Sequence, residues 1–146
     1  MEIVNGILSN KTITVPALAW LIAQLIKVIN VVLVERKLDF TRFVGSGGMP
    51  SSHSSFIVSL AAVVGKLRGV SSVEFGITIA VALIVMYDAA GIRRAAGKQA
   101  KVLNKLIFSH NDKVQFDEKL KELLGHSPFE VFMGALLGTL IGIWFG

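Results

Sequence analysis

Long apolar runs alternate with short polar segments along this chain, and the runs set the expected architecture. The first covers about 14–34, long enough at helical rise to cross a hydrocarbon core, with Pro16 suited to its first turn. A second apolar helix is expected over about 51–67, short for a full span and closed by Lys66 and Arg68 before a turn at 69–72. The third run is about 73–92 and the last about 129–145. Ahead of them, Ile3, Val4, Ile7 and Leu8 fall at helical spacing and suggest a short interfacial helix. The pattern predicts an all-α integral membrane helical bundle of about four transmembrane helices, with residues 1–146 forming a single domain.

The polar segments add sidedness. The loop 35–48 carries Arg36, Lys37, Asp39 and Arg42. The stretch 93–124 places Arg94, Lys98, Lys101 and Lys105 at three- and four-residue spacing, with Val102, Leu103, Leu106 and Ile107 on other faces. That is the pattern of an amphipathic helical segment drawn to anionic lipid headgroups. Asn111 and Asp112 break it, and a second helical segment is expected up to Leu124. Four spans put 35–53 and 93–126 on one face of the membrane. Most basic residues lie there, so the positive-inside rule makes that face cytoplasmic.

Composition agrees. Hydrophobic residues make up 53% of the 146 residues and mean hydropathy is +0.65, which points to a multi-pass protein of the cell membrane. The net charge of +5 is distributed as short basic segments between apolar runs, which fits membrane topology and not nucleic acid. Without cysteine there is no disulfide, thiolate nucleophile or Cys-based metal site. No carboxylate cluster suggests a metal, and no cofactor is expected.

The chemistry concentrates at 45–55, where three glycines, a proline, five serines and His53 run into an apolar helix. Free amides and the dipole at a helix N-terminus suit an anion, and Ser51 and Ser52 add hydroxyl donors. His126 stands at the matching place before the last helix. There Ser127 and Glu130 form a capping-box pattern and Pro128 takes the first helical position. Glu130 is either a capping residue alone or a cap that also faces His126. Within the spans, Gln24, Lys27 and Asn30 share a helix face; Lys27 either snorkels, pairs with an acidic residue or joins the site. Asp88, near the end of the third run, has Lys27, Arg93 or Arg94 as candidate partners. Gly134, Gly138 and Gly142 form a small-residue stripe suited to close helix packing.

Pro50-Ser51-Ser52-His53-Ser54 resembles the Pro-Ser-Gly-His motif of the type 2 phosphatidic acid phosphatase superfamily, related to the vanadium haloperoxidases. Gly125-His126-Ser127-Pro128-Phe129-Glu130 resembles its His-x-x-x-Asp motif. Gly47 to Ser54 and Tyr87 to Arg94 look typical of its small, divergent bacterial branch. The resemblance implies a membrane phosphatase acting on a lipid phosphate or diphosphate without metal. His126 would be the nucleophile, Glu130 its orienting carboxylate and His53 the acid and base. Lys37, Arg42, Ser51, Ser52, Arg93 and Arg94 would bind phosphate, with Lys27 and Asp88 as buried polar support. Three positions differ: Glu130 replaces Asp, no Lys/Arg pair with the family's spacing precedes the first motif, and Leu120 stands where an arginine is expected. The alternative is therefore a non-catalytic protein that binds anionic headgroups or a partner through a degenerate pocket. An exposed glycine face would also call for a second copy, a homo-oligomer, to enclose the site.

Overall fold

The computed structural model describes residues 1–35, 48–109, 119–122 and 124–146, with backbone alone at Val34, Glu35, Phe108 and Ser109. Their regular structure is all helical: α1 (Glu2–Ser9), α2 (Lys11–Glu35), α3 (Ser52–Arg68), α4 (Val73–Ala90), α5 (Ile92–Ser109) and α6 (Pro128–Phe145). The protein is a membrane helical bundle. Among the described residues, three helical stretches are long and apolar enough to cross a membrane: Lys11–Leu33, Val73–Ile107 and Pro128–Phe145. The apolar part of the second is α4. The expected second span is α3, whose 17 residues fall below that length.

Local chemistry sets the ends. Asn10 starts α2, its Oδ1 accepting the Thr12 N–H at 3.0 Å, so the helix begins earlier than hydropathy suggests. Pro16 therefore lies inside the helix, not in its first turn, and is fully buried. Ser51 and Ser72 cap α3 and α4 by accepting the N–H groups of Ser54 and Phe75. Gly69, at φ 85°, closes α3 after the basic pair Lys66 and Arg68, which complements the helix dipole.

The centre of the bundle is α3, which packs on α2, α4 and α6. α3 and α6 run parallel and close. A Cβ at Gly134, Gly138 or Gly142 would come closer than 3.0 Å to α3 or its cap, meeting the carbonyls of Ser51, Ser55 and Ser59 respectively. Those serines, also four residues apart, are fully buried. Ser55 Oγ bonds the Gly134 carbonyl across the interface at 3.0 Å. In lipid, where apolar burial between helices gains little, such backbone approach and interhelical bonding hold helices together. The glycine stripe is thus buried inside the chain, which removes it as an exposed face for a second copy. α2 runs antiparallel to this pair, and Val15, Ala19, Val63 and Ile141 join the three helices in a small apolar core.

The segment after α5 corrects another expectation. Residues 119–122 and 124 are not helical. They lie along α5, where Asn104 Nδ2 donates to the Leu120 carbonyl at 2.8 Å and Asn104 Oδ1 accepts the Leu120 N–H at 2.9 Å. A buried asparagine that satisfies both backbone groups of Leu120 competes with helix formation in that segment.

Replacing Gly138 by Val should separate α3 from α6 and cost about 2–3 kcal/mol. Gly76→Ala, inside α4 where no atom of the described residues lies within 4 Å of the added Cβ, should be neutral or stabilise by up to about 1 kcal/mol. Thermal unfolding of the two variants in detergent checks the pair; equal midpoints would contradict the packing.

Candidate active site

Parallel packing of α3 and α6 brings both helix N-termini to one end of the bundle. The Ser51 N–H donates to the Glu130 carbonyl at 3.0 Å, so the two caps are bonded directly. α4 ends at the same level, where the Ala89 carbonyl accepts the His126 N–H at 2.9 Å. Gly125 allows this approach. It has φ 79°, and a Cβ there would strike the backbone of Arg93 and Arg94.

His126 is held tightly. Its side chain is buried, and its Nδ1 lies 3.0 Å from Glu130 Oε2. The same oxygen accepts the Ser127 N–H at 3.2 Å, and Ser127 Oγ accepts the Glu130 N–H at 3.3 Å, completing the capping box. Glu130 thus caps the helix and faces His126 at once. A carboxylate at Nδ1 favours the proton there, leaving a lone pair on Nε2. Nε2 is shielded from solvent and has no hydrogen-bond partner among the described residues. Burial pushes the imidazole below its ordinary pKa; the Glu130 contact opposes this, while Lys27 and Arg93 lower it further.

His126 lines a small, partly open recess together with His53, Asp88, Arg93, Val85, Ala89 and Gly125. His53 is exposed, in the first turn of α3. Arg93 donates Nε–H to Asp88 Oδ2, which identifies Asp88's partner among the three candidates. Both side chains are partly exposed, so the pair orients Arg93 more than it stabilises the fold. Arg94 is exposed and does not line the recess.

Lys27 does not snorkel. It is 4% exposed, and its Nζ donates to Ser52 Oγ at 3.1 Å. Among the described residues no carboxylate forms an ion pair with it. Ser52 is buried beneath it, and Ser51 is taken up as the α3 cap. Lys37 and Arg42 lie outside the described residues. No group of three or more His, Asp or Glu among the described residues is placed to hold a metal ion.

The sequence reading missed Asn104 and Gly97 and named Gly125 only as part of a motif, although all three seat the segment leading to His126. A Cβ at Gly97 would collide with the carbonyls of Glu122 and Leu124. The isolated glycine and asparagine within a basic helix were the available signal.

Residues 8–141 match the model of the Divergent PAP2 family. The chain belongs to that family. It is also 43% identical over 135 residues to the uncharacterized membrane protein YuiD of Bacillus subtilis (strain 168), covering 84% of this chain and 85% of the relative. No solved structure matches the chain.

Histidine-selective NMR should find His126 titrating below its ordinary value of 6.5. Glu130→Gln should lower it further, because the carboxylate is what raises it. A value at or above the ordinary one, or an upward shift in the variant, would contradict this electrostatic account.

Proposed function

We propose that this family member is a membrane phosphatase hydrolysing a lipid phosphate or diphosphate through a phosphohistidine on His126. One observation carries the reading: a buried imidazole with Nδ1 fixed by a carboxylate and Nε2 left without a partner, sharing a recess with a second histidine and an arginine. An oriented, desolvated nitrogen lone pair beside cationic donors suits attack on phosphorus.

In the first step the Nε2 lone pair forms a bond to phosphorus as the bond to the leaving oxygen breaks. His53 gives that oxygen its proton. In the second, His53 takes a proton from water, whose oxygen displaces the histidine nitrogen and releases phosphate. Glu130 stabilises the positive charge developing on the ring while it is phosphorylated. Arg93, with Nε on Asp88, keeps its terminal nitrogens for the phosphoryl oxygens. The buried charge of Lys27 adds attraction for the anion from below. Arg94, Lys37, Arg42, Ser51 and Ser52 remain candidate phosphate ligands from the motif resemblance. The end of the bundle bearing the site also bears Arg93, Arg94, Lys98, Lys101 and Lys105, which supports the reading that it faces the cytoplasm from the cell membrane.

The second reading is a non-catalytic headgroup-binding protein. The Asp88 contact, which engages part of Arg93, favours it.

The test is phosphate release from phosphatidate, phosphatidylglycerophosphate and isoprenoid diphosphate in mixed micelles with a chelator present. Wild type should release phosphate, His126→Ala should not, and His53→Ala should lose about 100-fold or more. The acid limb of the rate should fall below the ordinary histidine range, because a lowered pKa keeps Nε2 unprotonated there. Headgroup binding without release from any substrate would favour the second reading.

A further inference from the structure

We propose that α5 is a lipid-docking element distinct from the phosphate recess, binding anionic phospholipid headgroups with its basic face while its apolar face enters the acyl region. The inference rests on how 18 residues divide around one helix, and it does not depend on the phosphatase reading.

One face is already occupied. Gly97, Ala100 and Asn104 are buried, and Leu120, Glu122 and Leu124 lie against them through the Asn104 bonds and the close approach at Gly97. A second face carries Arg94, Lys98, Lys101 and Lys105, all exposed. The third carries Ile92, Val102 and Leu103, which are 63%, 59% and 47% exposed. α5 contains no acidic residue, so nothing on the helix neutralises its basic face. Exposed Lys121 on the adjoining segment adds to the positive surface.

Position selects the occupant. α4 has 18 residues, about 27 Å at helical rise, enough to cross most of a hydrocarbon core. α5 starts two residues after α4 ends, and therefore at the membrane surface. A helix with adjacent apolar and basic faces at that level matches the boundary between acyl chains and headgroups. A soluble acidic protein would meet the lysines but would have to cover the apolar face within the lipid boundary. An anionic phospholipid satisfies both faces at once.

The chain has no cysteine, so Leu103→Cys gives a single labelling site for an environment-sensitive fluorophore. The labelled full chain is placed, one copy per disc, in nanodiscs of phosphatidylcholine alone or of about seven parts phosphatidylcholine to three of phosphatidylglycerol. Emission should shift to the blue, and quenching by an aqueous quencher should fall, on adding phosphatidylglycerol; high salt should reverse the change. Each lysine should favour the docked helix by about fivefold. The triple variant Lys98→Gln/Lys101→Gln/Lys105→Gln should lose the phosphatidylglycerol response while keeping its helical circular dichroism. A label equally open to the quencher in both discs would overturn the proposal. So would an unchanged phosphatidylglycerol response in the triple variant, or protection that arises only in discs holding two copies.

Discussion

The close parallel packing of α3 against α6 is the constraint on which the rest depends. Glycines at 134, 138 and 142 leave room for the backbone at Ser51, Ser55 and Ser59, so the two helices meet almost backbone to backbone. Parallel orientation puts their two N-termini, and so His53 and His126, at the same level. A larger residue in the stripe would separate the helices and with them the two histidines. Fold and site are therefore products of the same contact.

Around that contact, charge is handled unevenly. At the far end, Arg68 and Glu74 form an exposed pair of the kind that contributes little to stability. At the site end, Lys27 is buried with a serine hydroxyl, and His126 is buried with one nitrogen unbonded. A fold optimised only for stability would satisfy or remove such groups. An anion entering the recess would meet Arg93 and the His126 ring, which also feels the charge of the buried Lys27. That imbalance, more than the family relationship, is the physical reason to read the site as built for phosphate.

Much of this was legible in the sequence because it follows from local rules. The spans are apolar runs, the cap at Ser127 and Glu130 is a spacing rule, and the two histidine segments carry recognisable motifs. What was not legible depends on pairing between distant segments. The serine repeat at 51, 55 and 59 gains meaning only opposite the glycine repeat on α6. Pro16 looked like a helix start because Asn10, the actual cap, precedes a polar turn without hydropathic signal. The stretch up to Leu124 looked helical by composition, but Asn104 gives the Leu120 backbone another set of partners. Asp88 had three candidate cations in sequence, and only the fold selects Arg93.

The central claim is that His126 becomes covalently phosphorylated while His53 moves protons. The most direct measurement is acid-sensitive, alkali-stable labelling of the protein after rapid mixing with a lipid carrying radioactive terminal phosphate. The account predicts a phosphohistidine in wild type that is absent in His126→Ala and hydrolyses more slowly in His53→Ala, whose general base is missing. Label that persists in His126→Ala, or phosphate release from wild type with no phosphoenzyme at any mixing time, would contradict it.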